Sequence, residues 1–210
     1  MQGINVFFQI FILVFSVMIH EISHGLMALS FGDRTAEYEG RLTLNPLKHI
    51  DLFGSIVVPL MLWISGAGFM IGWAKPVPYN PYNLRNRRVG EMMVALAGPL
   101  SNLLVAVLFG LLIRFLPLSG PLLTIFVFIV LVNITLSMFN LVPVPPLDGS
   151  KILFSILPVG ERFVFSRQAQ QYGLIALIII VIFLLRMARG LIDSFTSSND
   201  RTPSFFTSEI

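Results

Sequence analysis

Near the start of the chain two imidazoles and a carboxylate fall within five residues, His20-Glu21-Ile22-Ser23-His24. On a helix, residues four apart are ~6 Å apart along the axis and little more than one turn round, so both rings leave the same face and can share one cation. Glu21, next to the first ring, stands where a carboxylate can take a proton from water polarised by that cation. Three fixed positions in this pattern arise by chance in roughly one per cent of chains of this length, so the motif by itself is only suggestive. Its setting carries more weight. The residues lie inside the apolar run Ile4–Phe31, and ionisable groups placed in a membrane span cost on the order of several kcal/mol unless a partner, cavity or pathway receives them. Mutual satisfaction in a bundle core and a proton or ion relay are the readings that compete here.

A catalytic zinc takes three protein ligands and leaves one position to water. The chain has no cysteine, and its third histidine, His49, falls in a polar stretch after the first span. The strongest third candidate is Asp148. It nearly ends the run Asn140-Leu-Val-Pro-Val-Pro-Pro-Leu-Asp148-Gly149, where Pro143, Pro145 and Pro146 break an apolar helix and Gly149 permits a turn. That run delivers a carboxylate from a non-helical segment beside a membrane helix. The competing reading is a carboxylate that caps a short helix beginning near Ser150. Asn102 and Asn140 are candidates for donating a hydrogen bond to substrate or to a developing oxyanion, or else bond between helices. For Asn133, deeper in its span, bonding between helices is the preferred reading, and Gly98 and Ser101 are read as allowing close helix packing.

Composition explains what must position these groups. Of the 210 residues, 55% are hydrophobic and 12% charged, and mean hydropathy is +0.83. A soluble domain carries roughly twice that charge. Five apolar segments, Ile4–Phe31, Leu52–Trp73, Met92–Leu116, Leu122–Val142 and Tyr172–Leu191, approach or exceed the ~20 residues that a spanning helix needs. The expected fold is an all-α integral membrane protein, a polytopic helical bundle with a re-entrant segment near the active site. Residues 1–195 are expected to form a single membrane-embedded core, followed by a polar tail, 196–210, with little order. The apolar N-terminus lacks a basic leader region and is expected to be retained.

The net charge of +3 comes from Lys and Arg scattered between apolar runs, which fits the lipid bilayer and its headgroups and excludes nucleic acid as a partner. Arg85, Arg87 and Arg88 are expected among those headgroups. Five full crossings would divide the basic residues evenly between the two faces. If Leu52–Trp73, interrupted by Gly54, Pro59, Gly66 and Gly68, instead enters and leaves on one side, most of the 14 Lys and Arg residues share a face. Only this second topology lets His20, His24 and Asp148 meet.

The segments HEISH at His20–His24, NPLKHID at Asn45–Asp51, GWAKPVP at Gly72–Pro78, LAGPLSN at Leu96–Asn102 and NLVPVPPLDG at Asn140–Gly149 span most of the chain. Together they resemble the site-2 protease family of intramembrane zinc metalloproteases, in its compact prokaryotic branch without PDZ or CBS domains. The resemblance implies Zn2+ held by His20, His24 and Asp148, with Glu21 as catalytic base. It implies a transmembrane protein as substrate, cut in or near the membrane, and roles for Asn102 and Asn140 in engaging substrate or the transition state. The expected location is a bacterial inner membrane. A membrane metallopeptidase acting on soluble or surface peptides is the alternative, and a zinc-dependent transporter a more distant one. Substrate identity, trigger and oligomeric state leave no mark in the residues.

Overall fold

The structure, a computed structural model, describes residues 6–65, 74–158 and 173. The last eight residues of the second apolar segment, the fifth segment apart from Gly173, and the polar tail all lie outside these. Among the described residues every regular element is helical. Three helices are long and apolar enough to cross a membrane: α1 (Val6–Ser30), α4 (Arg87–Phe115) and α5 (Gly120–Asn140). At 1.5 Å per residue they run about 38, 43 and 32 Å, against a hydrocarbon core of about 30 Å. Short elements fill the gaps: α2 (Thr35–Tyr38), a π-helical turn (Leu52–Val57) continuing into α3 (Val58–Ile64), and α6 (Asp148–Ile156).

Helix α4 is the centre of the bundle and packs on α1, α5 and α6. Its inward face is small, with Ala95, Ala97 and Gly98 buried, which brings neighbouring backbones close. Leu104, Val107, Leu108 and Leu111 point outward and are exposed, as are Phe8 and Phe11 on α1. The interior is where the polar side chains sit: Ser16, Asn102, Asn133 and Ser137 are all buried. Apolar outside and polar inside is the pattern of a bundle dissolved in lipid. Asn133 donates to Ser16 Oγ at 2.9 Å, the bond between helices expected of it.

Helix α1 ends in a Schellman arrangement. The Asp33 amide donates to the Ala28 carbonyl and the Gly32 amide to the Leu29 carbonyl, with Gly32 at φ +102°. Asp33 then ties this end to the approach of α4: it accepts from the Asn80 amide at 2.6 Å, Asn83 Nδ2 at 2.9 Å and Thr35 Oγ1 at 2.6 Å. The Arg85 amide donates to the Phe31 carbonyl at 2.9 Å. The end of α1 and the start of α4 therefore lie together. So do the two flanks of the 52–73 segment, since the Lys75 amide donates to the His49 carbonyl at 2.9 Å.

Two details differ from the sequence expectations. Asp148 is the first residue of α6, two positions before the expected start, and its carboxylate faces other side chains, so the competing reading of a helix cap is not the geometry found. The arginines do more than meet headgroups. Arg88 donates to the Ser155 and Ile156 carbonyls and so closes the C-terminal end of α6. Arg87 pairs with Glu91 at 2.9 Å and lies over the Tyr82 ring.

Candidate active site

Helix α1 presents His20 and His24 on the face turned to α4 and α6, where both are buried. Asp148 arrives from the start of α6 and is buried as well. His20 Nε2 and Asp148 Oδ2 are 3.1 Å apart, His24 Nε2 and Asp148 Oδ2 3.1 Å, and the two Nε2 atoms 3.1 Å. Among the described residues this is the group of His, Asp and Glu side chains arranged to hold a metal ion. Ligand atoms about 2.0–2.1 Å from a tetrahedral zinc lie roughly 3.3 Å apart, so the triangle has the dimensions of three corners of such a site.

The orientation of the donors points the same way. His24 Nδ1 lies 2.6 Å from the Val94 carbonyl oxygen, which only accepts, so Nδ1 carries the hydrogen and Nε2 presents its lone pair. The Lys151 ammonium, 3.2 Å from Asp148 Oδ1, favours the ionised form of the carboxyl. The ionised carboxylate is the form that a metal ligand needs. The His24 lone pair, with His20 Nε2 and Asp148 Oδ2 at equal distances from it, makes a place for a cation. Lys151 Nζ reaches the other carboxylate oxygen, Oδ1, at 3.2 Å and leaves Oδ2 to the histidines.

Helix α4 makes the opposite wall. A β-carbon on Gly98 would stand 2.6 Å from Nε2 and Cε1 of His20 and from Cε1 of His24, so only glycine lets the backbone pass under both rings. Pro99 follows, buried, and removes one hydrogen bond from this turn of the helix. One turn beyond Gly98 on the same side is Asn102, 0% exposed, with neither amide atom bonded among the described residues. His20 Nδ1, Asn133 Oδ1 and Ser137 Oγ are also buried without a partner among the described residues. Asn140 sits at the C-terminal end of α5 and donates Nδ2 to its own helix at the Leu136 carbonyl, 2.9 Å away.

Glu21 lies beside the ring pair. Its Oε2 accepts the Val77 amide hydrogen at 2.9 Å. His49 is buried elsewhere, with Nε2 2.9 Å from the Thr43 carbonyl oxygen, and takes no part in the triangle. The structure thus brings His20, His24 and Asp148 together with Glu21 alongside, and puts Asn102 in the wall. Lys151, Gly98 and the Val94 and Val77 backbones complete the site. Lys151 had a legible signal, three residues after Asp148 on one helix face. The two backbone groups had none, because a carbonyl or an amide is present whatever the residue type.

The model of peptidase family M50 matches residues 8–122 and 116–184, and so covers most of the chain. The chain belongs to peptidase family M50. This M50 protein is 38% identical over 179 residues to YwhC of Bacillus subtilis, by its name a candidate zinc metalloprotease, covering 81% of this chain and 78% of that one. It is 34% identical over 171 residues to Rip2 of Mycolicibacterium smegmatis, named likewise, across 80% of this chain and 63% of Rip2. With the zinc metalloprotease MJ0392 of Methanocaldococcus jannaschii it shares 26% identity over 181 residues, 85% of this chain and 43% of that one. No solved structure matches the chain. Family membership makes this M50 protein a metalloprotease of the site-2 type, and zinc is the metal that its donor set suits.

Proposed function

We propose that the protein is an intramembrane zinc metalloendopeptidase that hydrolyses a peptide bond in or near a transmembrane segment of a membrane-protein substrate. The observation that carries this reading is a triangle of metal-ligand atoms 3.1 Å on a side, two of them supplied by a helix of membrane-spanning length. His20, His24 and Asp148 hold the metal. Bound there, zinc supplies Lewis acidity, polarising a peptide carbonyl and bringing the pKa of water toward ~7.

The remaining chemistry belongs to the chain. Glu21 takes the proton from the attacking water and returns it to the leaving amine. Asn140, at the C-terminal end of α5, and Asn102, in α4, engage substrate or the transition state. A substrate helix keeps its carbonyls in internal hydrogen bonds, so it unwinds locally before attack. The 52–73 segment enters and leaves the membrane on one face, a reading supported by the Lys75 to His49 hydrogen bond between its flanks. Residues 1–195 act as one catalytic core with the 196–210 tail outside it, in a bacterial inner membrane.

The test uses the full chain in proteoliposomes with a single-span membrane protein tagged at both ends, alongside a short soluble peptide. Cleavage of the single-span protein is expected to fall by about 100-fold or more in Glu21→Gln while bound zinc is retained. Equal cleavage of the soluble peptide would replace this reading by that of an open-site membrane peptidase. Full turnover by Glu21→Gln would remove Glu21 as the base.

A further inference from the structure

The segment that precedes α4, Ala74-Lys-Pro-Val-Pro-Tyr79, runs past the Glu21 face of α1 without forming regular structure. Its hydrogen-bonding groups are committed in a definite order. Pro76 and Pro78 have no amide hydrogen, which isolates the Val77 amide between them. That amide donates to Glu21 Oε2 at 2.9 Å. The two carbonyls immediately upstream, of Lys75 and Pro76, both accept from Arg41 Nη2, at 2.8 and 3.1 Å. The Lys75 amide is held in turn by the His49 carbonyl.

The side chain of Val77 is seated independently. It is 6% exposed, and a β-carbon on Gly25 would stand 2.8 Å from its Cγ1. Gly25 is one turn along α1 from Glu21, so the residue that packs closely on the helix is the one whose amide reaches the carboxylate. Arg41 is 5% exposed and has no ion pair among the described residues. A guanidinium withdrawn from water without a carboxylate partner is costly, and backbone carbonyls are the compensation that this one receives. Nothing in its local sequence, between Gly40 and Leu42 in a polar stretch, calls for burial.

We propose that Arg41 is a positioning residue for catalysis. Through the Lys75 and Pro76 carbonyls it fixes the 74–79 strap so that the Val77 amide holds the Glu21 carboxylate in one orientation beside the metal ligands. The proposal rests on Glu21 being the base. With Oε2 tied to the strap, Oε1 is the oxygen that takes the proton. The same bonds leave Lys75–Val77 with few free backbone groups, so substrate pairing there requires displacing Arg41 or Glu21.

Hydrogen exchange measured by mass spectrometry on the zinc-loaded full chain in detergent tests this directly, because only one amide lies between the two prolines. In Arg41→Ala the Val77 amide is expected to exchange at least about tenfold faster, with zinc per protein unchanged. Turnover of the single-span probe is expected to fall about 10- to 100-fold, mainly in kcat, and Arg41→Lys to recover part of it. In a Glu21→Gln background, Arg41→Ala is expected to cause no additional loss. Unchanged Val77 exchange, or an equal further loss on top of Glu21→Gln, would overturn the proposal. If Arg41→Ala does not fold, Arg41→Gln, which removes the charge and keeps a shorter polar side chain, decides on the same readouts. Failure of the base assignment looks different: Glu21→Gln then keeps full turnover while Val77 stays protected in the wild type.

Discussion

Gly98 lies against His20 so closely that the position of a β-carbon would be 2.6 Å from the ring Nε2. The same phantom atom meets His24 Cε1 at 2.6 Å, so one backbone position on α4 sets how near the two imidazoles come to each other and to Asp148. A glycine within a helix usually weakens it by up to ~1 kcal/mol relative to alanine. Here the missing side chain makes room for the donor triangle.

Gly98→Ala is therefore expected to improve local helix propensity and still damage the site. The added methyl displaces both rings, and zinc affinity should fall by about 10- to 100-fold. Metal content after equilibration with a zinc buffer measures this. Affinity unchanged from the wild type would mean that the rings relax without cost.

Lys151 reaches Asp148 Oδ1 at 3.2 Å and keeps Oδ2 for the histidine pair. Removing the ammonium in Lys151→Met frees the carboxylate to turn and takes away a compensating charge. Zinc affinity is expected to drop by about tenfold, and Lys151→Arg to recover most of it. Competition with a fluorescent zinc chelator distinguishes the two variants.

Asp33 ties the end of α1 to the approach of α4 and should make stability depend on pH. Burial pushes its carboxyl up, yet hydrogen bonds from Thr35, Asn83 and Asn80 outweigh this and hold it below the usual value. A carboxyl with a depressed folded pKa stabilises fully above its unfolded value, near ~3.9, and loses that contribution as pH falls further. Asp33→Asn should be about 1–3 kcal/mol less stable at pH 7 and show a smaller decline between about pH 5 and 2. Thermal midpoints in detergent across that range, followed by tryptophan fluorescence, test both statements.

Asn102 is 0% exposed and neither of its amide atoms has a partner among the described residues, an arrangement that costs stability inside an apolar bundle. Replacing it with the similarly sized leucine removes that cost. Asn102→Leu is expected to raise the thermal midpoint while cleavage of a single-span substrate falls by about tenfold or more, the opposed outcome of a group kept for function. A stabler variant with full activity would make Asn102 dispensable.

The sequence by itself determined the medium and the chemistry. Low charge and long apolar runs dictate a helical bundle in lipid, because hydrocarbon forces every backbone group to find an internal partner. HExxH on a helix places two rings on one face by geometry alone, and the proline run before Asp148 marks where an apolar helix must stop. The long-range relations were decided only in the tertiary structure. Asp148 is 128 positions from His20, and nothing local to either states that they lie 3.1 Å apart. The lone pair of His24 is aimed by the Val94 carbonyl, and Glu21 is held by the Val77 amide. Backbone groups are identical at every residue, so the sequence carries no trace of which ones will be used. Arg41 shows the same limit from the other side: its charge and its polar neighbours suggest a surface, and only packing against the strap from Lys75 to Val77 puts it inside.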